Sequence, residues 1–428
     1  MTTHTKTPSM QYTGDYLQHL VDDAAASGVG VVHLPEGVFT LRNTLKLRSS
    51  LRIVGAGAGK TVLTKSPSVT SKIPAYLGYG HYEIIVQDPD LFDIGDSVHA
   101  FDSHAPGFYS TVATLIEKRP GGVLILDRPI NHDYLPEWGA TAVRVHSMLE
   151  GVNISDVTVE NLTLDGAAQD QTYSITGCRG AGVFLIGVSR LSMRNVEVHN
   201  FSGDAVSFQQ CVDILVEDCD IHHNKGGGLH PGSGSVRYVM RRNHIHHNAS
   251  NGLFYCLRTS HSICQGNRIH HNAHAGISIG ERDTDHLIIG NEVTDNVGHG
   301  VEFREVIYLG GDRVVFQSNN VARNGSAGSA AQIIIRSRTR DVDILENRIE
   351  PTAGQAAVLL EPGCQHIGIV GNTVAGRPLS EQDITGDRTT ANLKQRQYTA
   401  PIGPDALPLT GAAHLNIPLL GACNLPRV

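Results

Sequence analysis

Ile-His-His-Asn begins at residues 221, 245 and 269, and a relative, Val-Thr-Asp-Asn, begins at 293, so one pattern returns every 24 residues. A fixed period of this length marks a chain that stacks one supersecondary unit on copies of itself. Each unit holds a Gly-led alternating strand (Gly252-Leu253, Gly276-Ile277, Gly300-Val301), a second apolar stretch, an Asn, a third short strand and another Asn. Three strands in so few residues, with Asn-Gly pairs only at 251–252 and 324–325 rather than in every unit as a run of hairpins would favour, predict the coils of a parallel β-solenoid.

The register extends both ways. Val183, Val206 and Leu229 hold the inward strand position at steps of 23, and Ile333 and Val358 hold it after the longer turn at 324–330. Residues 150–376 therefore read as eight or nine coils. Asn243, Asn267, Asn291, Asn319, Asn347 and Asn372 recur before the third strand. They predict an internal amide ladder at a corner whose left-handed backbone Asn tolerates.

An open solenoid needs its end covered. Residues 15–28 have helical periodicity and end at a glycine, so 1–65 read as a cap helix followed by first coils. Residues 66–149 lose the period and read as a lateral β-rich insertion, and the Pro-rich, polar stretch 377–428 reads as a tail. The fold class is all-β: a right-handed parallel β-helix with an N-terminal helical cap and a small lateral β insertion. Leu34-Pro35-Glu36-Gly37, the run Leu51-Arg52-Ile53-Val54-Gly55-Ala56-Gly57, Asn161-Leu-Thr-Leu-Asp-Gly166 and the Asn-punctuated coils resemble the pectate-lyase-like superfamily across most of 14–376. That resemblance implies the handedness, and it implies a polysaccharide or oligosaccharide partner. Its members include lyases, glycosidases, epimerases, transferases and tailspikes, so it leaves the activity open.

Composition removes several classes. A net charge of −8 argues against nucleic acid as a partner. No apolar stretch approaches a membrane span, and no leader-like run opens the chain, which leaves the compartment open. Seven cysteines in 428 residues are not a disulfide framework. Residues 53–61, Ile-Val-Gly-Ala-Gly-Ala-Gly-Lys-Thr, mimic a phosphate loop, but Val54 stands where its first glycine belongs. The paired histidines invite a metal. Stacked one per coil, however, such columns run about 4.8 Å apart and diverge from a shared tetrahedral centre. No metal is expected there. Calcium, which some members of the superfamily use, finds no clear carboxylate cluster.

Alternation along the Gly-led strands points one set of side chains outward. The first outward column reads Ser207, His230, Phe254, Ser278, Glu302, Ile334; the second reads Gln209, Gly232, Cys256, Gly280, Arg304, Arg336. Glu281 and Glu305 stand 24 apart at the following turn, where Arg258, Arg282 and Arg338 share a column. In the resembled superfamily substrates lie along this sheet, so the expected site is a glycan groove over 204–340. Arg282, Arg304, Glu281, Glu302, Glu305 and His230 are the candidate catalytic residues, and Lys225, Phe254, Arg258, Arg336 and Gln209 the candidate binding residues. Two chemistries fit. β-Elimination from a uronate needs cations to neutralise its carboxylate and a base such as His230, Lys225 or an arginine. Glycoside hydrolysis or intramolecular glycosyl transfer needs paired carboxylates, and Glu281 and Glu305 on consecutive coils would stand about 5 Å apart, the spacing of retaining enzymes. A non-catalytic, tailspike-like binding stem, assembling as a homo-oligomer, is the reading from another class.

Overall fold

The computed structural model describes residues 14–392 apart from 77, 106–108, 174, 176 and 327. Eleven short strands, from Leu45–Lys46 to Ile384–Gly386, stack in one sheet, which the Gly-led strands build. The second and third strands of successive coils form a 22-stranded array around the other sides. Neighbours in the Gly-led sheet run parallel, and Val183, Val206, Leu229, Leu253, Ile277, Val301, Ile333 and Val358 fall in one register. All of them are buried in one continuous core. This is the solenoid the period predicts. The coils run past 376, because Ile384–Gly386 pairs with Ala356–Leu360 and Ala391–Asn392 pairs with the strand at 367–370. The remainder of the tail, 393–428, lies outside the described residues.

Two amide ladders run through the core. In the expected one, each Asn from 243 to 347 donates its Nδ2 to the Oδ1 of the next, at 2.9 to 3.0 Å, ending on Asn372. The second uses the Asn of each His-His-Asn and of its relative Val-Thr-Asp-Asn: Asn224, Asn248, Asn272 and Asn296 lead to Asn324, which donates to Gln332 at 2.8 Å. The left-handed residue is not the Asn. It is the one before it, at Arg242, Gly266, Gly290, Ser318, Glu346 and Gly371 along the first ladder and at His223, His247, His271, Asp295 and Arg323 along the second. That residue turns the corner, which aims the next side chain into the core, where a neutral amide can both donate and accept.

The repeated histidines stay outside. His222, His246 and His270 stack with centroids 4.9 and 5.1 Å apart, and His223, His247 and His271 form a parallel stack at 5.0 Å. Within a coil the two rings meet Nδ1 to Nδ1, at 2.7 Å in His246–His247. Burial and the crowding of neighbouring rings pull His270 down to about 4.

Gly14–Ser27 forms the cap helix, with Leu17 and Val21, one turn apart, buried in the solenoid core. Residues 53–61 turn a coil corner, where Gly57 and Gly59 take φ of 137° and 71°. The strand Thr61–Lys65 brings a cation inside: Lys65 Nζ donates to the His146 carbonyl at 2.8 Å and sits 4.8 Å from the Phe201 ring centre. Burial, and secondarily Arg144, push Lys65 down from 10.5 to about 7. Between those two values the folded chain binds fewer protons there than the unfolded chain, so stability rises with pH across this window. The thermal midpoint of wild type is expected to gain on that of Lys65→Met as pH goes from 7 to 9; a constant difference would refute the buried, neutral lysine.

The lateral unit is a six-stranded antiparallel sheet between Val69 and Arg144 with its own core, including Ile84, Val98, Leu115, Leu124 and Tyr134. The chain then makes a coil and, before the strand Val183–Ile186, throws out a strap, of which residues 172, 173, 175 and 177–181 are described. Tyr173 stacks on Phe101 of the lateral unit at 4.1 Å, and Ile175 packs with Val143 and Val145. Gly177 and Cys178 follow, lying over the Gly-led sheet.

Candidate functional site

The outward column holds its register: Phe184, Ser207 and His230 are successive neighbours, as are Phe254, Ser278, Glu302 and Ile334. It also continues toward the N-terminus to Glu150 and Lys46. Two regions on this column differ in what their side chains are free to do.

In the C-terminal half the charges answer one another. Arg304 lies flat on the sheet: its guanidinium donates to the Tyr255 and Cys256 carbonyls at 2.7 and 3.0 Å and to Ser278 Oγ at 2.9 Å, and stands 4.1 Å from the Phe254 ring centre. Gly280 permits this, since a β-carbon there would overlap the guanidinium. Arg336 bridges Glu302 at 3.2 Å and Glu361 at 2.6 Å, and Arg282 pairs with Glu281 at 3.1 Å. Arg258, Arg282 and Arg338 share the left-handed corner with φ from 55° to 68°. Glu305 is not the neighbour of Glu281. Arg258 N–H donates to the Glu281 carbonyl, and one coil on, Arg282 N–H donates to Leu309, so Leu309 holds the equivalent place. The ladder step from Asn291 to Asn319 is 28 residues, and the extra four push Glu305 into an exposed loop. The expected carboxylate pair is therefore not formed. Lys225 is exposed at the turn ahead of its Gly-led strand.

At the centre the structure gathers His230, Phe254, Gln209 and Cys256 and adds two residues the periodicity did not single out. Asp204 Oδ2 accepts from His230 Nδ1 at 2.7 Å, while its Oδ1 accepts from the Gly227 N–H at 2.6 Å. Cys178 arrives on the strap, and its thiol, the Cys256 thiol and a His230 ring nitrogen lie within 4.8 Å of one another. Burial is the largest influence and lowers His230, but Asp204 and the Cys256 thiol beside it together outweigh it and hold the imidazole at about 9. Gln209 donates to Ser207 Oγ at 2.8 Å. His230, Ser207 and Gln209 are all buried beneath the strap, so none is open to an extended glycan.

The open site lies one step toward the N-terminus, where the lateral sheet leans over the first coils. A cleft of about 620 Å³ is lined there by Lys46, Glu150, Phe184 and Ile186 from the Gly-led strands, Asp127, Arg128 and Asn131 from the lateral unit, and Cys178 and Arg179 from the strap. Its two carboxylates are pushed apart. Burial raises Glu150, with Lys46 and Arg128 only partly offsetting it. Burial works against Asp127 as well, but hydrogen bonds from Arg128 at 3.2 Å and from the Thr114 N–H at 2.8 Å hold it below its ordinary value. One carboxyl thus keeps its proton more readily than the other, the arrangement by which acid and base roles are divided. Lys46 and Glu150 were reachable from the sequence by extending the outward column two coils; Asp127, Arg128 and Arg179 sit on aperiodic segments that give no register.

Residues 150–305 match the family model described as the right handed beta helix region. The mannuronan C-5 epimerase AlgE6 A-module of Azotobacter vinelandii is similar in structure, with a TM-score of 0.61 and 16% identity over 89% of this chain and 91% of that one. The Dettilon tailspike protein gp208 gives 0.58 and 12% over 91% of this chain and 66% of that one. The Agl-KA catalytic domain gives 0.51 and 12% over 91% and 69%. At these identities the likeness shows the fold. No curated protein matches the sequence.

Proposed function

We propose that this right-handed parallel β-helix is a carbohydrate-active enzyme that cleaves an extended, uronate-bearing glycan in the cleft between its lateral sheet and its first coils. The observation that carries the reading is the pair Asp127 and Glu150, two carboxyls of opposed acidity facing one cleft. Glu150, the carboxyl that burial makes the weaker acid, protonates the glycosidic oxygen; Asp127, the stronger acid, draws the proton from water or attacks the anomeric carbon. Lys46 lines the same cleft and suits a carboxylate of an acidic sugar chain, beside Arg128, which is paired with Asp127, and Arg179. Arg282, Arg304 and Arg336 of the downstream groove are engaged with protein partners, which moves the reading away from Arg282 and Arg304. A structural neighbour named for mannuronan is consistent with a polyuronate.

The same cations favour a second reaction. With a uronate carboxylate neutralised, Asp127 can take the proton beside it while Glu150 protonates the departing oxygen, which is β-elimination. A panel of uronate-containing and neutral polysaccharides separates the two. New reducing ends without the ultraviolet absorbance of an unsaturated uronate indicate hydrolysis, and both together indicate elimination. Binding with neither product overturns the enzyme and leaves a tailspike-like binding stem. Absence of binding and of turnover on every uronate polymer overturns the cleft as a glycan site.

A further inference from the structure

We propose that Cys178, Cys256 and His230 bind a zinc ion that clasps the strap to the Gly-led sheet. The three residues come from the strap and from two successive coils, and their ligand atoms lie within 4.8 Å of one another. Around a tetrahedral zinc, thiolate sulfur at about 2.3 Å and imidazole nitrogen at about 2.1 Å stand roughly 3.6 to 3.8 Å apart. The cluster therefore needs to close by no more than about 1 Å, within reach of a thiol rotation.

Three further observations point to a ligand. His230 is 5% exposed, and its Nε2 is buried with no hydrogen-bond partner, although its Nδ1 is tied to Asp204 at 2.7 Å. A carboxylate on the far nitrogen of a ligating imidazole is the usual support of a zinc site, because it fixes the tautomer and the ring plane. Gln209 Oε1 is a second buried acceptor without a partner, and the Gln209 amide lies beside Cys256 over Gly232. It can accept from a water in the fourth coordination position. Finally, Gly177 admits the strap to this depth, since a β-carbon there would overlap both the Asp204 carboxylate and the His230 ring.

Soft thiolates with one imidazole select zinc over calcium or magnesium. Binding releases the two thiol protons and the Nε2 proton of the imidazolium, and leaves His230 with its remaining proton on Nδ1, facing Asp204. The histidine stack is the weaker candidate: Asp220, His244 and His246 also cluster, but they are half-exposed and their rings already meet histidines outside the cluster, as in His244 Nε2 to His270 Nε2 and His246 Nδ1 to His247 Nδ1, both at 2.7 Å. The clasp has a consequence for the cleft, because Arg179, next to Cys178, lines it. Zinc would hold that wall in place.

The test uses the intact chain, reduced and stripped with a chelator, then titrated with Co²⁺ as an optical probe. The expected result is one Co²⁺ per chain with a thiolate-to-cobalt charge-transfer band, displaced by Zn²⁺, and a thermal midpoint that rises with Zn²⁺. Cys178→Ser and Cys256→Ser should each lose most of the band and the stabilisation while keeping the wild-type circular dichroism. Asp204→Asn should weaken the affinity by about 10- to 100-fold. His246→Gln, in the histidine stack, should bind as wild type does. If a variant fails to fold, the wild-type midpoint with and without Zn²⁺ still decides. No band in folded, reduced wild type, or a band that survives in Cys178→Ser/Cys256→Ser, overturns the site, as does a Cys178–Cys256 disulfide whose reduction yields no metal uptake.

Discussion

Glu150→Gln is expected to lower turnover of the responsive glycan by about 10²- to 10⁴-fold, the contribution of a positioned proton donor, with the fold unchanged. The substitution keeps the shape and removes the proton, so binding should survive and kcat should carry the loss. The pH profile makes the claim sharper. Burial raises Glu150, so the alkaline limb of kcat/KM should lie above the ordinary range of a glutamate; the partners of Asp127 lower it, so the acid limb should lie below that of an aspartate. Asp127→Asn should abolish the acid limb along with most of the rate. If instead Glu150→Gln turns over normally while Arg282→Ala is dead, the chemistry belongs in the downstream groove and the cleft assignment falls.

Asn267→Ala should cost about 3 to 5 kcal/mol of stability, near the upper end for a single side chain. Asn267 donates Nδ2 to the Met240 carbonyl and to Asn291 Oδ1, both at 2.9 Å, and accepts from the N–H and Nδ2 of Asn243 at 3.0 and 2.9 Å. It is 1% exposed, so truncation strands partners on both sides of the coil where water cannot replace them. Asn267→Asp should be worse than Ala at neutral pH, because a carboxylate faces two acceptors with nothing to donate, and should recover as the pH falls and the acid gains a proton. Asn372→Ala, at the end of the ladder, should cost less. Chemical denaturation of the three variants checks the order. Equal midpoints for the alanine and aspartate variants would mean that the ladder contributes shape rather than hydrogen bonding.

The coil, its inward residues and one ladder were legible because they recur. The second ladder is equally legible, since Asn224, Asn248 and Asn272 keep the same 24-residue step. The misplacement of Glu305 also had a visible cause. From Asn291 to Asn319 is 28 residues, and a count along the ladder Asn would have shown that this coil carries an insertion. Other features left no trace. Ser207, His230 and Gln209 alternate outward from the sheet, and only the strap makes them buried.

What the sequence alone determined is the solenoid: side-chain alternation and a fixed period decide which residues face the core and which share a column, because each coil repeats the same backbone path and contacts chiefly its neighbours. What only the tertiary structure decided is where that column is open. The lateral sheet and the strap have no period, so nothing in their spacing says that Asp127 comes to stand across a cleft from Glu150, or that Cys178 comes down onto His230 and Cys256. Those juxtapositions follow from how two aperiodic segments pack against the first coils, which depends on the stacking of Tyr173 on Phe101 and on the missing side chain of Gly177 rather than on any repeat.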